Sequence, residues 1–157
     1  MARMPARPST ISVLRSSSLL RSIDDEVLQG LVAYSHMASV ERGEVIWHTG
    51  DLVDFVGLVG TGFVKMVKTT KLGQELTHEI FGPGQMFGFL GAIDGSGCPL
   101  SARAVSNLWY LQIPKKSVLP IYERSLPLKD HMMRRTTNRL RMAHEMLARL
   151  STGSVES

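Results

Sequence analysis

Cysteine is nearly absent from this chain: Cys98 is the single one in 157 residues. One thiol excludes an internal disulfide framework and any zinc or iron–sulfur site built from several cysteines. No apolar run approaches the ~20 residues that a membrane-spanning helix requires. The N-terminal stretch MARMPARPSTISVLRSSS carries Arg3, Arg7 and Arg15 but no continuous apolar segment, so it does not read as a secretory signal. His36, His48, His78, His131 and His144 are scattered, and no His-x-His occurs. His78 and Glu79 alternate across one strand, so a metal enzyme of the cupin kind lacks a convergent ligand set. The expectation is a protein of the reducing cytoplasm that is not an enzyme and carries no metal, no cofactor and no membrane segment.

What is present is an ordinary globular balance, 43% hydrophobic and 20% charged, enough for one domain with an appendage. The net charge of +4 is unevenly spread. Between Leu128 and Leu150, Lys129, Arg134, Arg135, Arg139, Arg141 and Arg149 face only Asp130 and Glu145. This fits a solvated helix face, with a weak pointer to nucleic acid.

In chain order, residues 1–18 hold two prolines past Met4 and many serines without periodicity, which predicts a disordered basic arm. Leu20, Ile23, Val27, Leu28, Leu31 and Val32 recur at helical spacing, with Ser22 as the N-cap of a helix from about Ile23. From Ala38 the period shortens. Short β runs lie on either side of Arg42-Gly43, over Phe55–Val59 and Gly62–Val67, over Glu75–Phe81, and over Ala102–Val105 and Leu108–Ile113. Gly60-Thr61-Gly62 and Lys71-Leu72-Gly73-Gln74 read as hairpin turns. Phe81–Ile93, FGPGQMFGFLGAI, combines a turn at Pro83-Gly84 with a tightly wound segment from Phe87, as expected at the edge of a pocket. Short strands at this spacing predict a jelly roll or sandwich.

Lys116–Tyr122 can form a short helix, and Arg124-Ser125-Leu126-Pro127 is a break. A long helix follows from Leu128, on which Leu128, Met132, Thr136, Leu140, Ala143, Leu147 and Leu150 form a stripe spaced about 3.7 residues apart. A terminal helix of this length has little globule left to cover it, so its stripe predicts self-association. Helical patterning ends at Gly153, and residues 151–157 read as a hinge.

From Leu19 to Ser157 the chain resembles the sensor and dimerisation half of Crp/Fnr-type transcription regulators. Gly43 and Gly50-Asp51, the run Val59-Gly60-Thr61-Gly62-Phe63-Val64-Lys65, the signature-like Gly82-Pro83-Gly84-Gln85-Met86-Phe87-Gly88, and Pro127 with its helix carry the likeness. The resemblance implies a mainly β fold with α: a double-stranded β-helix jelly roll of the cyclic-nucleotide-binding kind over residues 19–126, then a dimerisation helix over 127–150. It also implies truncation at the hinge, before an expected helix-turn-helix domain. The implied partners are a second copy, an unknown small-molecule effector and, for the full-length regulator, DNA and RNA polymerase.

The resemblance also sets a test of the pocket. Cyclic-nucleotide binders of this family place a glutamate directly after the Phe-Gly and an Arg-Ser pair further on. Here the glutamate position is Phe89, and the pair falls at Leu100-Ser101 or at Cys98-Pro99, depending on the register. The base-contacting hydroxyl pair falls near Ala143-His144. A buried phosphate without a charged donor is costly, so cyclic AMP is not the expected effector. Gly88-Phe89 with Gly95-Ser96-Gly97 is similar to the oxygen-responsive branch, whose cluster needs four cysteines that this chain lacks. The expected pocket residues are Phe87, Gly88, Phe89, Leu90, Leu100, Ser101, Arg103, Ala143 and His144. The expected dimer seam is Met132, Met133, Thr136, Leu140, Ala143, Leu147 and Leu150. A cyclic-nucleotide module from a kinase or channel and a cupin-like metal enzyme are the alternatives.

Overall fold

The computed structural model describes residues 3–21 and 23–156, with side chains described as far as Ser151. The chain divides into two compact units, Met1–Pro120 and Ile121–Ser157.

The first unit opens with α1 (Thr10–Ser16) and α2 (Asp25–Tyr34). Eight strands follow: β1 (His36–Val40), β2 (Val45–Trp47), β3 (Phe55–Thr61), β4 (Val64–Thr69), β5 (Glu75–Phe81), β6 (Met86–Phe87), β7 (Ser101–Ala104) and β8 (Leu108–Pro114). The short helix α3 (Phe89–Asp94) interrupts them, and α4 (Lys115–Arg124) ends the run. The strands form two antiparallel sheets in the orders β1-β8-β3-β6 and β2-β7-β4-β5. The jelly roll and the long terminal helix are therefore as expected.

Consecutive strands mostly belong to different sheets, which corrects two sequence expectations. β1 pairs with β8 and β2 with β7, so the runs around Arg42-Gly43 are not partners. β3 pairs with β6 and β8, whereas β4 pairs with β5 and β7. Gly60-Thr61-Gly62 is thus a crossing between sheets and not a hairpin. Only the turn at Gly73 joins neighbouring strands as predicted. β4 does not alternate cleanly between buried and exposed: Met66 joins the interior between the sheets, and Val67 is buried as well. The register irregularity beside it lies in β5, where His78 is the extra residue between Glu79, opposite Met66, and Thr77, opposite Val67.

The interior between the sheets is built from Trp47, Val59, Val64, Met66, Phe81, Phe87, Ala102, Ala104, Leu108 and Tyr110. The other face of β3 and β8 presents Val56, Leu58, Leu111 and Ile113, all fully buried. The N-terminal residues supply part of that cover. Residues 1–18 were expected to be disordered, yet α1 forms there, with Val13 and Leu14 buried. Ser9 accepts a hydrogen bond from the backbone N–H of Ser12, a side-chain N-cap that a Ser-rich composition conceals. Trp109 donates its indole N–H to the carbonyl of Pro5 at 2.6 Å. A Cβ on Gly60 would lie within 3.2 Å of Val13 and Pro8. α2 begins at Asp25 behind Asp24, two residues later than expected, and the expected cap Ser22 lies outside the described residues.

The second unit is mostly α5 (Leu126–Glu156). The predicted break shrinks to Ser125, whose hydroxyl accepts from Leu128 N–H at 3.2 Å. Pro127 sits in the first turn, where its missing N–H has no helical partner to lose. The helix runs past Gly153 to Glu156, so the expected hinge over residues 151–157 is helical as far as it is described. Among the described residues no helix is long and apolar enough to cross a membrane.

Candidate functional site

The candidate site is the segment from the β5–β6 turn to the start of β7. The turn Gly82–Gln85 is tied to β3 at both ends: Gly84 N–H donates to Val59 O at 2.9 Å, and Val59 N–H donates to Gln85 O at 3.0 Å. The Gln85 side chain accepts from Gly82 N–H at 2.8 Å. A Cβ at Gly84 would lie 2.7 Å from Ser16 O, so the turn also abuts the end of α1. This anchoring aims β6 inward and delivers Phe87, 1% exposed, into the interior.

The chain then reverses at Gly88, whose φ of +80° is in the left-handed region that side chains disfavour. It continues as α3, with Phe89 buried beneath it and Leu90 turned to solvent at 45% exposure. Leu100 closes the segment, 7% exposed. Five rings meet under it. Trp47 stacks on Phe87 at 5.5 Å and 25°, and meets Phe55 edge-on at 5.7 Å. Tyr110 and Phe81 lie 5.7 and 6.2 Å from Phe87. Offset and tilted arrangements of this kind suit the ring quadrupoles. Gln112 donates from its amide to the Tyr110 hydroxyl at 2.9 Å, and burial pushes that phenol's pKa up. The Trp47 indole N–H donates to Leu100 O at 2.9 Å.

Of the expected pocket residues, Phe87, Gly88, Phe89 and Leu100 are brought together. Ser101 and Arg103 are not. β7 alternates, and it is Ala102 and Ala104 that join the interior. Arg103 is held on the other face by Glu75 at 2.9 Å and by Gly43 O at 2.7 Å. Lys65 completes this group at 2.9 Å from Glu75, and its hydrogen bond, aided by Arg103, holds the Glu75 carboxyl below its ordinary pKa. Ser101 instead bonds Thr49, accepting from its N–H at 2.8 Å. Leu90 points outward from α3. Ala143 and His144 belong to α5 and are exposed there.

Trp47, Gly57 and Tyr110 are the residues that sequence reasoning missed. Gly57 carried a signal: a glycine inside an apolar strand marks a close approach. Here its Cβ position is taken by the Phe87 ring. Cys98 is 6% exposed, and burial, with Asp51 and Asp94 nearby, pushes its thiol pKa up. A cavity of about 330 Å³ lies apart from the rings, lined by Asp54, Pro114, Lys115, Lys116 and Leu119. Among the described residues no group of three or more His, Cys, Asp or Glu side chains could hold a metal ion.

A two-sheet roll with a glycine-framed helical segment between its sixth and seventh strands is the architecture of cyclic-nucleotide-binding-type sensor domains. The chain belongs to the cyclic nucleotide-binding domain family, which it matches over residues 37–125, and it is homologous to the sensor domains of Crp/Fnr-type transcriptional regulators. It is 30% identical over 118 residues to the cyclic AMP receptor protein of Thermus thermophilus, covering 75% of this chain and 54% of that one. The chain therefore spans about half the length of that relative. The crystal structure of the Thermus thermophilus catabolite activator protein superposes with a TM-score of 0.68 at 31% identity, covering 86% of this chain and 63% of that one. The sensor domain of the transcriptional regulator DNR from Pseudomonas aeruginosa, 21% identical, shares the fold with a TM-score of 0.71, covering 85% and 90% of the two chains.

Proposed function

We propose that this chain is the effector-sensing and dimerisation part of a Crp/Fnr-type regulator, and that it does not respond to cyclic AMP. The observation that carries the second half is the buried apolar side chain at position 89 together with the commitment of Arg103 elsewhere. Phe89 stands where the family's glutamate is expected and is buried. Neither register for the Arg-Ser pair supplies an arginine, and Arg103 is committed to Glu75 and Gly43 on the other face of β7. A cyclic phosphate in this interior would lose its water and gain no cation. The effector is a less polar molecule, or the signal is a change in packing of the segment itself, which biases a two-state element.

The first half rests on α5. Met133, Leu140 and Leu147 repeat every seven residues, as do Thr136, Ala143 and Leu150. Met133, Leu140, Leu147 and Leu150 are 67, 56, 62 and 63% exposed, an apolar stripe that solvent would not favour. Strict sevens suit the first and fourth positions of a two-stranded coiled coil. The partner is a second copy of this chain, with Met132 at the flank of the seam. In the full-length regulator the paired helices present DNA-binding domains to an operator and to RNA polymerase.

Sedimentation velocity tests the assembly: the wild type runs as a dimer and Leu140→Glu as a monomer. A dimer retained in the variant overturns the seam. Thermal melts with cyclic AMP test the pocket: no saturable rise in Tm is expected, and one would overturn the reading of Phe89.

A further inference from the structure

Trp47 contacts the segment 88–100 through both its ring and its N–H. Its indole touches both ends of that segment. At one end a Cβ on Gly88 would lie 2.5 Å from Cη2, so the ring lies against bare backbone. At the other end Nε1–H donates to Leu100 O at 2.9 Å. Phe87 stacks on one side and Phe55 meets the ring edge-on. The turn after Trp47 pairs with the same segment: Gly50 N–H donates to Cys98 O at 2.8 Å, and Cys98 N–H donates to Asp51 O at 2.9 Å. The segment is thus closed onto β2 and its turn, and Trp47 is the side chain of the ring cluster that hydrogen-bonds its far end. Tyr110 spends its hydroxyl on Gln112 of its own strand. The phenylalanine rings carry no donor.

We propose that Trp47 is a tethered ligand of the roll. The chain itself supplies a flat, bicyclic aromatic with one N–H donor, and that ring holds segment 88–100 shut over an apolar space. When the ring is removed, the space takes a free molecule of the same chemistry. Its specificity comes from apolar walls at Phe55 and Phe87 and from one acceptor, Leu100 O. This goes beyond the proposed sensing role and stands on the contacts of Trp47 alone, so its outcome is independent of dimerisation and of the response to cyclic AMP.

The test uses the full chain as Trp47→Ala and Trp47→Phe, with indole and N-methylindole as probes. Amide hydrogen exchange in residues 88–100 should quicken roughly tenfold or more in both variants, while Val56–Val59 and Leu108–Ile113 change less than about twofold. Indole should raise the Tm of Trp47→Ala saturably, restore protection in 88–100, and leave the wild type unchanged. N-methylindole lacks the donor and should bind roughly tenfold more weakly. Uniform quickening across the roll would make Trp47 a core filler like its neighbours and overturn the proposal. So would equal binding of the two probes, or no saturable response to indole. If Trp47→Ala does not fold, Trp47→Phe decides: exchange quickened only in 88–100 supports the latch, and unchanged or uniform exchange refutes it.

Discussion

Gly57→Ala should change sign depending on what stands at position 87. In the wild type the new methyl would overlap the Phe87 ring. That ring cannot retreat, because Trp47, Tyr110 and Phe81 surround it at 5.5, 5.7 and 6.2 Å. Overpacking of this kind costs about 3 kcal/mol, the upper part of the usual range. Against it, alanine restricts the unfolded chain and contributes about 0.4–1 kcal/mol of stability. Gly57 has no positive φ, so that gain is not cancelled by backbone strain. The steric effect wins, and the net loss is about 2 kcal/mol, or roughly 6 °C in Tm for a chain of this size. Phe87→Ala alone should cost about 4 kcal/mol, because it empties a site that is 1% exposed. With the ring gone, the methyl at 57 meets no obstacle and only the entropic gain remains. Gly57→Ala should then stabilise the Phe87→Ala protein by about 0.5 kcal/mol, a coupling of about 2–3 kcal/mol. Urea unfolding of the four proteins measures each corner of the cycle. Additivity within about 0.5 kcal/mol would refute the contact.

Three further outcomes are expected. Leu14→Ala should lower the unfolding free energy by about 2–5 kcal/mol, because Leu14 is fully buried in α1; a loss near zero would return the N-terminal residues to the disordered arm that the sequence predicts. Glu75 has a depressed folded-state pKa, so its contribution is complete above its ordinary value of 4.5 and fades as the pH falls through the folded value. The stability gap between wild type and Glu75→Gln should therefore hold at neutral pH and close below about pH 4.5, whereas parallel pH curves would refute the role of Lys65 and Arg103. Cys98, buried and with its thiol pKa raised, should react with a disulfide reagent only as fast as the segment opens. A labelling rate close to that of free cysteine would place the thiol at the surface.

Most strands were readable because they are short Val-, Phe- or Ile-bearing runs beside a turn, and β5 was bounded to the residue at Glu75 and Phe81. What could not be read was partnership. Gly60-Thr61-Gly62 looks like a hairpin because its flanks are adjacent in sequence, yet the chain there leaves one sheet for the other. Pairing depends on residues as far apart as His36 and Gln112, and local propensity carries no record of them. The site divides in the same way. Phe87, Gly88 and Phe89 were found from the glycine framing, whereas Ser101 and Arg103 were misplaced because one step along β7 reverses the face. Trp47 escaped because its importance lies in what it meets across the roll. The arm was misjudged because serine reads as disorder when counted and as a helix cap when placed at Ser9.

The pairing of β1 with β8 has a consequence in time. His36 lies opposite Gln112 and Val40 opposite Leu108, so the first strand, at the sheet edge, waits for the last before it finds its neighbour. Contacts so distant in sequence require a large loop to close before any stabilisation is gained, which slows folding. During synthesis the nascent roll holds β1 and the apolar flank of β3 open until about seventy further residues have left the ribosome. A ribosome-stalled chain should remain protease-sensitive throughout while Leu108–Pro114 is still inside the ribosome, and should become resistant in a single step once that strand has emerged.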